Sequence, residues 1–180
     1  MIPFPRGPFD VILADPPWAF ASNSVAKPGR NVRRHYPTMT LPEICALPVS
    51  ALAARNALLL MWITAPLAHR AQEVICAWGF RPVSQVVWVK NRIGLGHWAR
   101  SRHELLHIAT RGAFPCPVPA LFPDSVIEAP VREHSRKPDD VHRIVDARLG
   151  HARRIELFAR EGLPGWDIWG NDTNKFGGAQ

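Results

Sequence analysis

Asp15, Pro16, Pro17 and Trp18 stand in succession in a 180-residue chain, and their types suit the activation of an amino group conjugated to a ring. Such a nitrogen is a poor nucleophile, because its lone pair is delocalised. A site that accepts hydrogen bonds from both amino hydrogens draws the nitrogen towards a pyramidal geometry and frees the pair. Asp15 offers a carboxylate acceptor, and Pro16 a backbone carbonyl held in place by its own ring. Pro17 stiffens the loop, so the acceptors are set before a base arrives. Trp18 gives a face on which an extruded base can stack, worth about 1–3 kcal/mol per base. The plainer alternative is a rigid strand-ending turn with a solvent-facing Asp15 and a core Trp18. Average residue usage makes this tetrapeptide a chance event in roughly one such chain in several thousand, which weighs against that alternative.

The elements that must hold this loop follow from the apolar pattern. Phe9 to Ala14 reads as a strand stopped by Asp15 and the two prolines. Ala57 to Ile63 is a second, apolar on both faces as an interior parallel strand is. Leu67, Ala71, Val74, Ile75 and Trp78 recur at helical spacing, and Gly79 supplies the stop. Val83–Lys90 and Leu105–Thr110 are two more strands around a basic, glycine-containing loop, Asn91 to His103. Pro138 takes a first helical position, with Asp139 and Asp140 in the first turn and Val141, Ile144, Val145 and Leu149 as the buried stripe before Gly150. Arg154 to Ala159 reads as a final strand. The alternation predicts an α/β fold with right-handed crossovers and helices on both faces. Ligands on such sheets bind at the carboxyl ends of strands, so the loops after Ala14 and Ala159 matter most.

Composition narrows the class. Hydrophobic residues make up 47% and charged residues 21%, which predicts a packed core in one domain over residues 1–180. The 18 prolines gather in the first fifty residues and in 115–138, read as ordered loops around a scaffold. The net charge of +7 favours polyanions. Cys45, Cys76 and Cys116 lack any C-x-x-C spacing, so reduced, mostly buried thiols are expected rather than disulfides or structural zinc. The eight histidines show no ligand spacing, and no metal site is expected. MIPFPRGPFD has no apolar signal region and no apolar run is long enough to span a bilayer, so a soluble, cytoplasmic protein is expected, with no membrane partner.

Ala14-Asp15-Pro16-Pro17-Trp18 is accompanied, in order, by Tyr36-Pro37-Thr38-Met39, Leu60-Met61-Trp62-Ile63, Trp88-Val89-Lys90, Gly96-His97-Trp98, Lys137-Pro138-Asp139, Arg154-Ile155-Glu156-Leu157-Phe158 with Arg160, and Trp169-Gly170-Asn171. This series resembles the DPPW-type N6-adenine methyltransferases, the family of the mRNA N6-adenosine methyltransferase catalytic subunit and its bacterial and phage relatives. The resemblance runs from Phe9 to Asn171. It implies a Rossmann-like S-adenosylmethionine-dependent methyltransferase fold, a mostly parallel sheet with helices on both faces. It also implies methyl transfer to the N6 amino group of adenine in nucleic acid, with DNA slightly favoured over RNA. Asp15, Lys137, Glu156, Arg160 and Asn171 are implied to contact the S-adenosyl-L-methionine cofactor, and Lys137 at a helix start suits the methionine carboxylate. Some relatives carry a His-Asn pair after the arginine; here Glu161-Gly162-Leu163 follow.

On the nucleic-acid side, Arg30, Arg33, Arg34, His35 and Tyr36 form one basic cluster. Arg92, His97, Trp98, Arg100, Arg102 and His103 form a second, and Arg132 to Lys137 a third. Nucleic-acid-facing loops are therefore placed near 19–40, 91–103 and 130–138, with Tyr36, Arg33, Arg34, Trp98, Arg100 and Arg102 as substrate contacts. For any single one of these residues a solvated surface charge is the plainer reading. The partners implied are adenine-containing DNA or RNA, and either a second copy or a family partner subunit. Two alternatives remain: a catalytically silent nucleic-acid-binding subunit of the same family, and an unrelated enzyme or basic binding module. The second lacks a G-x-G-x-x-G fingerprint, a P-loop and a nucleophile elbow.

Overall fold

Val11 to Ala14 offers no polar face, so it is forced into the sheet interior. In the computed structural model, which describes residues 3–19, 38–94, 96, 98–133, 136–171 and 173, Phe9–Ala14 forms β1. Parallel neighbours cover both of its edges, β2 (Ala53–Thr64) and β6 (Arg154–Leu157). Ala14 is level with Met61 of β2 and Leu157 of β6. The carboxyl ends of three strands therefore meet where Asp15 begins.

Beyond β2 lie β4 (His103–Arg111), β3 (Arg81–Lys90) and the short β5 (Val126–Ala129); beyond β6 lies β7 (Asp167–Trp169). The order is β5-β3-β4-β2-β1-β6-β7. Every neighbouring pair is parallel except those of β4, which runs antiparallel to both β2 and β3. The repeated strand–helix–strand alternation thus breaks at the β3–β4 hairpin, where the glycine-containing loop leaves no helix to carry a crossover. One consequence is functional. An antiparallel β4 delivers its first residues to the carboxyl edge of the sheet, so Glu104 sits opposite Thr64 at the end of β2.

Helices cover both faces, as expected. Alternate residues Ile12, Ala14, Leu59, Met61 and Ile63 pack beneath α1 (Leu41–Cys45), α2 (Val49–Leu52) and α3 (Ala71–Ala77). The intervening Val11, Leu13, Leu58, Leu60 and Trp62 face α4 (Asp140–Leu149), whose Val141, Val145 and Leu149 are buried. This strict alternation is the two-residue period of a strand buried on both sides.

Several boundaries differ from the sequence expectation. The helical pattern from Leu67 opens as a 3-10 segment, Ala65–Arg70, before α3, while Gly79 takes the left-handed φ of +81° that ends it. Helix α4 starts at Asp140, two residues after Pro138; Asp139 stands at its N-cap, but its carboxylate is held by Arg132 at 2.6 and 2.7 Å and does not cap the helix. The strand expected to end at Ala159 ends at Leu157, since Phe158 turns out at φ +64°, and β7 follows it. The thiols are free, but Cys76 and Cys116 are exposed and Cys45 is half-buried, against the expectation of burial. Among the described residues, no helix is long and apolar enough to cross a membrane.

Candidate active site

The loop after β1 is pinned before it reaches any ligand. The Trp18 amide donates to the Pro16 carbonyl at 2.8 Å, and the Met39 amide donates to the Pro17 carbonyl at 2.8 Å. Trp18 itself is buried, and its indole Nε1 donates to the Trp62 carbonyl at 3.1 Å. It packs with Ile12, Met61 and Ile63 in the α1–α3 face of the core. The expected stacking plate is therefore an anchor: at 6% exposure, Trp18 presents no face to a base. Its physical reason is the Trp62 carbonyl, a buried acceptor that an indole can reach from this turn.

Asp15 faces a cleft lined by Arg136, Lys137, Asp139, His142, Glu156, Phe158, Arg160 and Glu161. Its Oδ2 accepts from Lys137 Nζ at 2.6 Å. Lys137 Nζ is also 3.4 Å from Glu104 Oε2, and Glu104 Oε1 accepts from Lys90 Nζ at 2.5 Å. The result is a row of alternating charges, Asp15–Lys137–Glu104–Lys90, with side chains 14–22% exposed. Lys90 lies 4.7 Å over the Trp88 ring, which keeps its stem at the end of β3.

The electrostatics of this row are unequal. Burial, with Glu104 close by, pushes the Asp15 carboxyl above its ordinary value, although Lys137 and Arg160 pull the other way. Burial would also raise Glu104, but its two lysines outweigh that and hold it below the usual range. Lys137 is thus shared between a well-satisfied carboxylate and one whose ionised form is costly. Such a perturbed acid in a cleft is where reactivity concentrates.

The remaining wall comes from the turn after β6. Phe158 holds a left-handed backbone that a non-glycine residue adopts only at a cost, and such outliers gather at functional sites. It packs edge-on to Trp169, with ring centroids 5.4 Å apart. A Cβ on Gly170 would sit 2.5 Å from the Ala159 carbonyl, so this close approach of β7 to the turn requires glycine. Glu156 lines the cleft with Oε2 2.8 Å from His142 Nε2.

Of the expected cofactor residues, Asp15, Lys137, Glu156 and Arg160 share one cleft. Asn171 is exposed two residues past β7 and is not part of its lining. Trp98 is fully exposed on the β3–β4 loop, whose ends, Lys90 and His103, lie beside Glu104. Arg100 and Arg102 are exposed on the same loop, each donating from Nε to a carbonyl of its own hairpin, Gly94 at 3.2 Å and Lys90 at 3.1 Å. Arg30, Arg33, Arg34, His35, Tyr36 and His97 fall outside the described residues. The third basic cluster is spent internally. Arg132 also donates to the Lys137 carbonyl at 2.7 Å, and Arg136 pairs with Glu161 at 3.1 Å. Sequence reasoning gave no role to Lys90, Glu104 or His142. Lys90 was within a recognised segment, so its charge was the one available signal.

The donor set fits S-adenosylmethionine. Carboxylates and cations stand side by side for an ammonium and a carboxylate, and Glu156 is an acceptor suited to a ribose diol. His142 Nδ1 and Trp169 Nε1 are buried without a hydrogen-bond partner among the described residues. No group of three or more His, Cys, Asp and Glu is placed to hold a metal among those residues.

The MT-A70 family model matches residues 9–172. The chain is 32% identical over 178 residues to an Arabidopsis thaliana protein named N(6)-adenosine-methyltransferase MT-A70-like, covering 93% of this chain and 24% of that one. It is 29% identical over 182 residues to the type II methyltransferase M.MunI of a Mycoplasma species, covering 92% of this chain and 78% of that one. To the human N(6)-adenosine-methyltransferase catalytic subunit METTL3 it is 29% identical over 178 residues, covering 93% and 29%. The chain thus spans about a quarter of the length of the plant relative and most of the bacterial one.

Proposed function

Because this chain belongs to the MT-A70 family, we propose that it is an S-adenosylmethionine-dependent methyltransferase acting on the N6 amino group of adenine in nucleic acid. The observation that carries this reading is Asp15 at the carboxyl end of β1, 2.6 Å from Lys137 in a cleft shared with Glu156 and Arg160. When bound, S-adenosylmethionine supplies an electrophilic methyl group. Lys137 binds the methionine carboxylate, and Glu156 accepts from ribose hydroxyls. Ionised Asp15 and the Pro16 carbonyl, which keeps a second lone pair besides the one given to the Trp18 amide, accept from the two amino hydrogens of the adenine. That pairing exposes the nitrogen lone pair to the methyl group. Such contacts act without reorganisation because the prolines and the Trp18 anchor fix them beforehand.

The acceptor arrives over the β3–β4 loop, where Arg100 and Arg102 meet phosphates and Trp98 offers the stacking face that Trp18 does not. We place DNA slightly ahead of RNA as the acceptor; the relatives include both a type II methyltransferase and N(6)-adenosine-methyltransferases. A catalytically silent subunit of the family is disfavoured by the intact charged cleft around Asp15. The test is transfer of a labelled methyl group from S-adenosylmethionine to matched adenine-containing DNA and RNA oligonucleotides. Label on one or both supports the reading, and label on neither refutes it.

A further inference from the structure

One pair in the cleft belongs to neither end of the Asp15 row. His142, in the first turn of α4, meets Glu156, in β6, at 2.8 Å between Nε2 and Oε2, with side chains 15% and 17% exposed. The imidazole packs edge-on to Trp166, ring centroids 5.1 Å apart. Its Nδ1 is buried and has no hydrogen-bond partner among the described residues. One ring nitrogen is committed to Glu156 and the other meets no partner among the described residues, so holding that carboxylate is the polar task this geometry gives the side chain. We propose that His142 is a positioning residue: it orients Glu156 for the cofactor and, by its protonation state, sets the net charge that the cleft presents. This rests on the cleft being the S-adenosylmethionine site.

The charges around the ring fix the direction of the effect. Burial lowers an imidazole's proton affinity, but Glu156, through its hydrogen bond and its charge, outweighs burial with help from Asp139 and Asp146. His142 therefore titrates above its ordinary value. The other walls bring the cations Arg136, Lys137 and Arg160 and the carboxylates Asp15 and Glu161, and Arg154 lies over the Trp166 ring. As pH rises through the raised value, the imidazolium loses its proton and the cleft becomes one charge more negative. S-adenosylmethionine differs from its demethylated product, S-adenosylhomocysteine, by one positive charge at sulfur. Raising the pH therefore favours the cofactor over the product.

The experiment is isothermal titration of the whole chain with both compounds, from about pH 5.5 to about pH 8.5, across the imidazole range. In the wild type the ratio of cofactor to product affinity should rise about fivefold with pH, the order expected for one charge across a partly wet cleft. His142→Gln keeps an N–H donor that does not titrate, so affinity at high pH should stay within about twofold of wild type while the ratio becomes flat. His142→Phe keeps the ring against Trp166 but loses the donor, and both compounds should weaken about tenfold at every pH. A glutamine variant that retains the wild-type pH dependence, or a phenylalanine variant that binds like wild type, overturns the role of His142 alone. Failure of the wild type to bind either compound overturns the reading of the cleft, and this inference with it.

Discussion

Glu104→Gln tests the charge row at the point the sequence did not announce. The substitution keeps shape and a hydrogen-bond acceptor but removes the charge between Lys90, at 2.5 Å, and Lys137, at 3.4 Å. A hydrogen bond to a charged partner contributes about 1.5–3 kcal/mol, and leaving a largely buried ammonium with a neutral partner sits within that span. With side chains 14% and 22% exposed, solvent screening trims the effect without cancelling it. We expect a loss of about 1–3 kcal/mol at neutral pH by urea unfolding, or a Tm lower by about 2–10 °C. The sign with pH is fixed, because Glu104 is held below its ordinary value. Its contribution is complete above the unfolded carboxylate pKa of about 4.3, and it disappears as pH falls through the lower folded value. Activity reports the other half of the row. Glu104 raises Asp15, so removing its charge lets Asp15 ionise at lower pH and shifts the acid limb of the rate profile downward. Equal stability of variant and wild type at neutral pH, or an acid limb that moves upward, would refute this coupling.

Four further outcomes follow from the same geometry. Trp18→Ala should cost about 3–5 kcal/mol, the range for emptying a buried aromatic site. Trp18→Phe should lower stability by about 1–2 kcal/mol through the stranded Trp62 carbonyl, without the collapse of acceptor affinity that loss of a stacking plate would bring. Lys137→Ala should weaken S-adenosylmethionine binding at least about tenfold in calorimetry while leaving oligonucleotide binding intact, and unchanged cofactor affinity would remove Lys137 from the cofactor map. Replacing Arg100 and Arg102 together should flatten the salt dependence of nucleic-acid affinity by roughly one unit of log slope per lost contact, with cofactor affinity unchanged.

What could be read in advance depended on how local its cause was. β1 and β2 were legible because runs buried on both faces allow no other placement. The Asp15 loop was legible because two prolines end a strand wherever it lies. β5 and β7, four and three residues long, are too short to show a period, and their pairing is set by neighbours distant in sequence. The direction of β4 was written in the loop from 91 to 102, which carries glycines and basic residues instead of an apolar helical stripe, and it decides where Glu104 lands. The Thr40-Leu41-Pro42-Glu43 capping box was likewise present in the letters and starts α1. The roles of Trp18, Glu104 and His142 were not legible. Each depends on a partner 44, 33 or 14 positions away, Trp62, Lys137 and Glu156.

The central claim is that Asp15 activates the adenine amino group. Its most direct measurement is the position and rate of methylation in a single turnover, with the product nucleoside identified by mass spectrometry against N6-methyladenosine and its deoxy form. The wild type should place the methyl group on N6, and Asp15→Asn should slow that turnover at least about a hundredfold, the scale for removing one charged transition-state contact. Because the ionised Asp15 carboxyl is costly to bury, the same variant should melt no lower than wild type at neutral pH. A methyl group found elsewhere on the base, or an asparagine variant that turns over at the wild-type rate, would contradict the account.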